Sequence, residues 1–147
     1  MKYIDLGLPS GTLWADRNVG AEKPKDYGDY FNFDDAQKCG TLPARWQMCE
    51  LVNYTKKEVC EVDNVDGMRF KGENGNSIFM PFAGCMYYSD SNLYDVSNNG
   101  NWWSCTPKGD YAYYLDLSNS GDVGPSSYGY RALGLSIRLI KNKLPCR

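Results

Sequence analysis

Histidine is absent from the 147-residue chain. Without imidazole there is no Ser-His-Asp or Cys-His relay, and the zinc sites that need a histidine ligand are excluded. The six cysteines, Cys39, Cys49, Cys60, Cys85, Cys105 and Cys146, contain no C-x-x-C pair, which removes zinc-ribbon and thioredoxin-like readings. A chain of this length buries a core without disulfide staples, so reduced thiols in or near the core are expected, with Cys146 exposed. No block of basic residues occurs and the formal net charge is -2, which argues against a nucleic-acid partner. Apolar runs are only a few residues long, too short for membrane insertion. The opening Met1-Lys2-Tyr3-Ile4-Asp5-Leu6-Gly7 lacks an apolar h-region, so no signal peptide is expected.

Tyrosine, serine, asparagine and glycine are what the chain has in quantity. Eight of its 12 tyrosines lie between Tyr87 and Tyr130: Tyr87, Tyr88, Tyr94, Tyr111, Tyr113, Tyr114, Tyr128 and Tyr130. Ser89, Ser91, Ser97, Asn92, Asn98, Asn99, Asn101, Ser118, Asn119, Ser120, Ser126 and Ser127 surround them. Tyrosine offers a large, stiff contact area at small entropic cost, while Ser, Asn and Gly supply adaptable hydrogen bonds, as in antibody loops. The same composition also suits a turn-rich β domain with polar loops.

The pattern along the chain reads as a single domain, 1–147, with a core over about 3–140 and a tail at 141–147. Strands are expected at Tyr3–Leu6, Thr12–Ala15, Gly67–Lys71, Ser77–Pro81, Trp102–Cys105, Tyr111–Leu117 and Leu135–Ile140. Tyr27–Phe33 reads as a bend or short strand. Glu73-Asn74-Gly75-Asn76 is a hairpin turn, because Asn-Gly adopts positive φ cheaply. A helix is expected at Pro43–Tyr54, capped by Thr41, with Pro43 in its first turn. Met48, Leu51 and Val52 form its apolar stripe with Trp46 on the flank, and Glu50 and Asn53 face water. Tyr87–Gly100 reads as one long polar loop. The class is therefore α+β, short antiparallel strands with one or two helices and long loops.

Several motifs together resemble a known family. Tyr3-Ile4-Asp5-Leu6-Gly7-Leu8-Pro9-Ser10-Gly11-Thr12-Leu13-Trp14-Ala15, Asn18-Val19-Gly20-Ala21 and Tyr27-Gly28-Asp29-Tyr30-Phe31 resemble the opening of the "Fibrobacter succinogenes major paralogous domain" proteins of gut Bacteroidetes. Leu42-Pro43, Gly75–Gly84, Trp103-Ser104, Ala112-Tyr113, Arg131, Gly134 and Ser136-Ile137-Arg138 fit as well, so the resemblance spans roughly 3–140. The chain departs from that family's pattern at Met48, where a Trp is usual, and in its cysteine number.

The resemblance implies a C-type-lectin-like fold of the formylglycine-generating-enzyme type. That fold also carries the variable proteins of diversity-generating retroelements, in which a C-terminal segment is mutagenised at adenines. Asn101–Ile140 has that look: framework positions Trp103, Ala112, Leu115, Val123, Arg131, Gly134 and Ile137 interleave with Tyr, Ser, Asn, Asp and Gly. The implied function is a non-enzymatic, ligand-binding domain that meets an unknown protein or glycan on a phage particle or bacterial cell surface, with a homo-oligomer possible. The alternative is an assembly subunit whose aromatic face is buried in an oligomer. The contact residues expected are Trp102, Asp110, Tyr111, Tyr114, Ser118, Asn119, Asp122, Ser126, Ser127, Tyr128 and Tyr130. Trp102 enters this set because Trp103, its neighbour on the opposite strand face, is the framework residue. Arg138 is expected to anchor a buried hydrogen-bond network.

Catalysis, metal and cofactor are not expected. Formylglycine-generating enzymes use a close cysteine pair, whereas Cys105 is the only cysteine between Cys85 and Cys146; it reads as a small buried strand residue. Asp34-Asp35, or Asp90, Asn92, Asp95 and Asn98, offer oxygen ligands for calcium, but no EF-hand loop or Glu-Pro-Asn, Gln-Pro-Asp or Trp-Asn-Asp signature is present, so they read as solvated acids. Asp110 with Asp116, or Asp116 with Asp122, is a nominal glycosidase pair with nothing in the sequence to fix its separation.

Overall fold

The computed structural model describes residues 1–87 and 91–142. Tyr88, Ser89 and Asp90, and Cys146 with most of the expected tail, lie outside the described residues. In chain order the elements are β1 (Tyr3–Asp5), β2 (Leu13–Ala15), α1 (Phe33–Ala36), α2 (Arg45–Asn53), β3 (Lys56–Val62), β4 (Val65–Lys71), β5 (Ser77–Pro81), β6 (Cys85–Met86), β7 (Leu93–Tyr94), β8 (Asn99–Lys108), β9 (Tyr111–Ser118), β10 (Val123–Tyr130) and β11 (Ile140–Lys141). The strands pair antiparallel into sheets ordered β1-β2-β11, β3-β4-β5, β10-β9-β8 and β6-β7. The fold is mostly antiparallel sheet with two helices, an α+β arrangement.

The β4–β5 hairpin turns where the Asn-Gly signal places it, with Gly75 at φ 89°. Asn74 and Asn76 both donate side-chain hydrogen bonds to the Asp5 carbonyl, at 2.8 and 2.9 Å, pinning the turn to the end of β1. The preceding hairpin carries a strand the sequence pattern does not announce, because Lys56–Val62 lacks clean alternation. Its two-residue loop, Asp63-Asn64, holds φ of 49° and 70°, the positive pair that matches the twist of the flanking strands. A Cβ at Gly72 would stand 2.0 Å from the Leu6 carbonyl oxygen. Gly72→Ala must therefore push two backbone segments apart, and urea unfolding is expected to show a loss of about 2–4 kcal/mol.

Helix α2 starts at Arg45, and its N-cap is Ala44, not Thr41. Ala44 has no side-chain acceptor, so neighbours satisfy the first turn. Gln47 Oε1 accepts from the Ala44 amide at 2.8 Å, and Thr106 Oγ1 on β8 accepts from the Arg45 amide at 2.9 Å. At the other end Lys57 Nζ donates to the Val52 carbonyl at 2.6 Å. Met48, Leu51 and Val52 are buried as the stripe requires, and Asn53 is exposed. Two side chains contradict the simple helical wheel. Trp46 is 57% exposed, and Glu50 is only 8% exposed because the Ser10 turn packs on the helix, where Ser10 N and Oγ donate to its carboxylate at 2.9 and 2.8 Å.

The β8–β10 sheet separates two cores. On one face Trp102, Leu115 and Leu117 join Trp14, Met48, Leu51, Phe70, Met80 and Phe82; on the other Trp103 and Ala112 join Phe33, Ala36, Leu42, Leu135 and Ile137. Adjacent strand residues point to opposite faces, so both tryptophans are fully buried. Each contributes on the order of 4–6 kcal/mol of apolar transfer as an upper bound. Between the layers sits a polar node. Asn18 Oδ1 accepts from Trp102 Nε1 at 2.9 Å and from Arg138 Nε at 3.0 Å, and Asn18 Nδ2 donates to the Tyr27 carbonyl at 3.0 Å. Arg138 also donates to the carbonyls of Ala15 and Phe79, at 3.1 and 3.0 Å. Burial pulls its pKa down to about 9, which leaves the guanidinium charged at neutral pH.

Leu135–Ile140 is not the continuous strand its pattern suggests. The segment laces successive neighbours instead: Leu135 bridges Phe31, Ser136 bridges Trp102, the Ile137 and Leu139 carbonyls accept from Val19 and Ala15, and only Ile140 enters a sheet. Tyr27–Asn32 runs without regular structure apart from the Phe31 bridge to Leu135, and Phe33 opens α1; the Tyr30 hydroxyl ties the segment down by donating to the Ala83 carbonyl at 2.7 Å. Lys141 belongs to β11, so the packed chain runs past residue 140.

Candidate binding surface

Composition pointed to C-terminal loops; the geometry instead makes a sheet face. The register pairs Tyr113 with Tyr128 and Tyr111 with Tyr130 across β9 and β10. Period-two alternation puts these four rings on the same side as Leu115 and Leu117. Helix α2 covers the leucine half of that side, and the tyrosine half runs out beyond the helix N-terminus. Ring centroids stand 5.2 Å apart for Tyr111–Tyr130, 5.8 Å for Tyr111–Tyr128 and 6.3 Å for Tyr113–Tyr128. The adjoining Tyr130 raises the Tyr111 pKa. Tyr128 and Tyr130 are 53% and 66% exposed.

Two cations sit among the rings. The Arg45 guanidinium lies 4.4 Å from the Tyr113 centroid, and Lys108 Nζ lies 4.9 Å from Tyr128 and 5.7 Å from Tyr113. Sequence reasoning missed Tyr113, Lys108 and Arg45. The period-two step from Tyr111 signals Tyr113, and Lys108 follows from its register opposite Tyr111, but nothing in the sequence signals Arg45, which arrives from α2.

The other expected contacts divide by place. Trp102 is a correction: it is fully buried under the sheet and its indole N–H is taken by Asn18. Ser126 Oγ accepts from Arg45 Nε at 3.0 Å, so it positions the cation. Asp110 is exposed in the β8–β9 turn beside the tyrosines, whereas Ser118, Asn119 and Asp122 sit at the β9–β10 turn, the opposite end of the hairpin. Asn119 there donates to the Ser97 carbonyl at 3.0 Å, a structural tie. Cys105 is a second correction: it is exposed, not buried, where the β8–β9 register shifts between Trp103 and Pro107. Cys39, Cys49, Cys60, Cys85 and Cys105 are all free thiols.

Tyr114 and Ser127 pair on the opposite sheet face. Tyr114 packs edge-on against Trp103, with centroids 5.8 Å apart, and burial raises its pKa. It borders a cleft of about 240 Å³ shared with Tyr87, Asp95, Asn99, Asn101 and Asp116. Asp116 accepts from Asn101 Nδ2 at 2.7 Å, yet burial still raises its pKa, the amide bonds only partly offsetting the desolvation. A carboxyl with a raised folded-state pKa is a liability once ionised: stability falls as pH rises from the unfolded pKa through the folded one. Asp116→Asn is therefore expected to match or exceed the parent's stability at pH 7 and to lose that advantage at pH 3, by urea unfolding at both. Asp110 and Asp116 lie most of a strand apart, roughly 15–20 Å at the usual rise, too far to flank one glycosidic bond. Asp34 and Asp35 occupy the first turn of α1, where Asp35 N bonds Asn32 Oδ1 at 2.8 Å.

No family model, curated protein or solved structure matches the chain.

Proposed function

We propose that this is a non-enzymatic recognition domain of the C-type-lectin-like class, displaying a binding face on the β9–β10 ladder in the manner of a retroelement-diversified variable protein. The α+β arrangement of short antiparallel strands, two helices and long loops is what the motif resemblance implies. One observation carries the reading: within the candidate variable segment most framework positions are buried, with Val123 and Arg131 half-buried, and the two outermost tyrosine rings are exposed. Trp103, Ala112, Leu115 and Ile137 are fully buried, while Tyr128 and Tyr130 present large exposed rings beside Tyr111 and Tyr113. Stiff aromatics flanked by cations and small polar residues are what protein and glycan recognition favours. The display set is Asp110, Tyr111, Tyr128 and Tyr130, extended by Tyr113, Lys108 and Arg45; Ser118, Asp122, Ser127 and Tyr114 lie apart from it.

A second reading rests on the same exposed rings together with Trp46, 57% exposed in the first turn of α2: the face is buried against another copy in an assembly. Solution mass of the parent and of the Tyr128→Ala/Tyr130→Ala variant separates the two. A monomer in both supports display to a foreign ligand, and an oligomer that the variant dissolves supports assembly. At the genomic level, a neighbouring reverse transcriptase and a near-copy of the codons for Asn101–Ile140 differing only at adenines are expected.

A further inference from the structure

The β3–β4 side of the molecule, remote in sequence from the tyrosine ladder, carries two clefts, of about 530 and 330 Å³. Both are lined by Lys56 and Lys71, so they adjoin as a single trough. The first continues along Asn53, Tyr54, Thr55, Gly72 and Glu73, and the second along Lys57, Glu58 and Arg69. Lys56 and Lys71 are direct partners in the antiparallel register. Like charges placed opposite each other in a ladder are destabilising. Among the described residues neither lysine forms an ion pair. Lys57, one step along β3 from Lys56, turns to the opposite sheet face, so three cations, Lys56, Lys71 and Arg69, stand against two carboxylates, Glu58 and Glu73, in a chain whose net charge is -2.

A lysine on an edge strand also guards it against pairing with another chain. That role accounts for Lys56 and Lys57 on the edge strand β3. It does not account for Lys71 and Arg69 on β4, which is flanked on both sides. Lys57, moreover, is committed to the carboxyl end of α2 through Val52 and Thr55. An anion between Lys56 and Lys71 converts the repulsive pair into a clamp.

We infer that this trough binds an anionic polysaccharide, with a sulfate or carboxylate between Lys56 and Lys71 and a sugar ring against Tyr54. Two adjoining clefts suit a chain of linked sugars, and the exposed Tyr54 ring in the lining of the first offers a stacking surface beside Asn53. The site is separate from the tyrosine ladder and stands whether or not the ladder is the recognition face.

The test is fluorescence polarisation with a labelled sulfated hexasaccharide, its unsulfated counterpart and a single-stranded oligonucleotide of equal charge. The expected result is binding of the sulfated sugar that weakens with added salt and exceeds that of the neutral sugar and the oligonucleotide by about tenfold. Lys56→Gln/Lys71→Gln is expected to lower that affinity about tenfold, with an unfolding midpoint equal to or above the parent's because the repulsive pair is gone. Tyr128→Ala/Tyr130→Ala is expected to leave this affinity unchanged. Absence of binding, equal binding of the neutral sugar or of the oligonucleotide, or full affinity in the lysine variant overturns the inference.

Discussion

Asn18→Ala is expected to destabilise the protein by about 3–5 kcal/mol, a large share of the 5–15 kcal/mol typical of a domain this size. Asn18 is fully buried, and its amide serves three partners: Trp102 Nε1, Arg138 Nε and the Tyr27 carbonyl. Alanine takes a partner from all three at once, although Arg138 keeps the Ala15 and Phe79 carbonyls. The guanidinium is the costliest of them, since it is charged, fully buried and without a carboxylate in hydrogen-bond contact. Arg138→Met is the informative companion. Methionine fills much of the same volume and removes the buried charge, leaving the Ala15 and Phe79 carbonyls without their donor but Asn18 still bonded to Trp102. Its cost is expected to be smaller, about 1–3 kcal/mol. The order, Asn18→Ala worse than Arg138→Met, is read from urea unfolding with a shared slope. The reverse order would mean that the guanidinium's own packing, not the Asn18 amide, holds the layers together.

Tyr128→Ala/Tyr130→Ala is expected to show the opposite profile, a small effect on stability and a large one on binding. Both rings are more than half exposed, so unfolding should change by no more than about 1 kcal/mol. Against any ligand detected on protein or glycan arrays, two aromatic anchors of about 2 kcal/mol each predict a loss of several hundredfold. Lys108→Gln is a milder member of the series, because a cation over two rings holds them in place as well as presenting charge.

Much of the scaffold was legible from local chemistry. The Asn74-Gly75 turn, the Met48–Leu51–Val52 stripe and the buried role of Arg138 each follow from short-range pattern or residue type. What escaped had tertiary causes. Strand β10 hides in Val123–Tyr130 because Gly124, Pro125 and Gly129 read as turn residues; pairing with β9 across a bulge overrides that signal. Glu50 reads as a solvent-facing helix residue until the Ser10 turn folds onto it. Trp102 reads as the free member of a Trp-Trp pair, and it is not free because the sheet has a core on each face, which one strand's pattern cannot reveal. The binding face was half legible. Tyr111, Tyr128 and Tyr130 belong to the proposed face, but composition carries no register and pools them with the hairpin-tip residues Ser118, Asn119 and Asp122 at the far end of the same strands.

A tyrosine ladder that serves as a display face requires a scaffold indifferent to its content. A library randomised at Asp110, Tyr111, Tyr128 and Tyr130, expressed on yeast and sorted first for folding and then for binding to an unrelated protein, tests it most directly. Most members are expected to fold with midpoints near the parent's, and sorting is expected to yield binders whose affinity is lost when those four positions revert. A library that largely fails to fold, or folded members that never yield a binder dependent on those positions, would contradict the display reading.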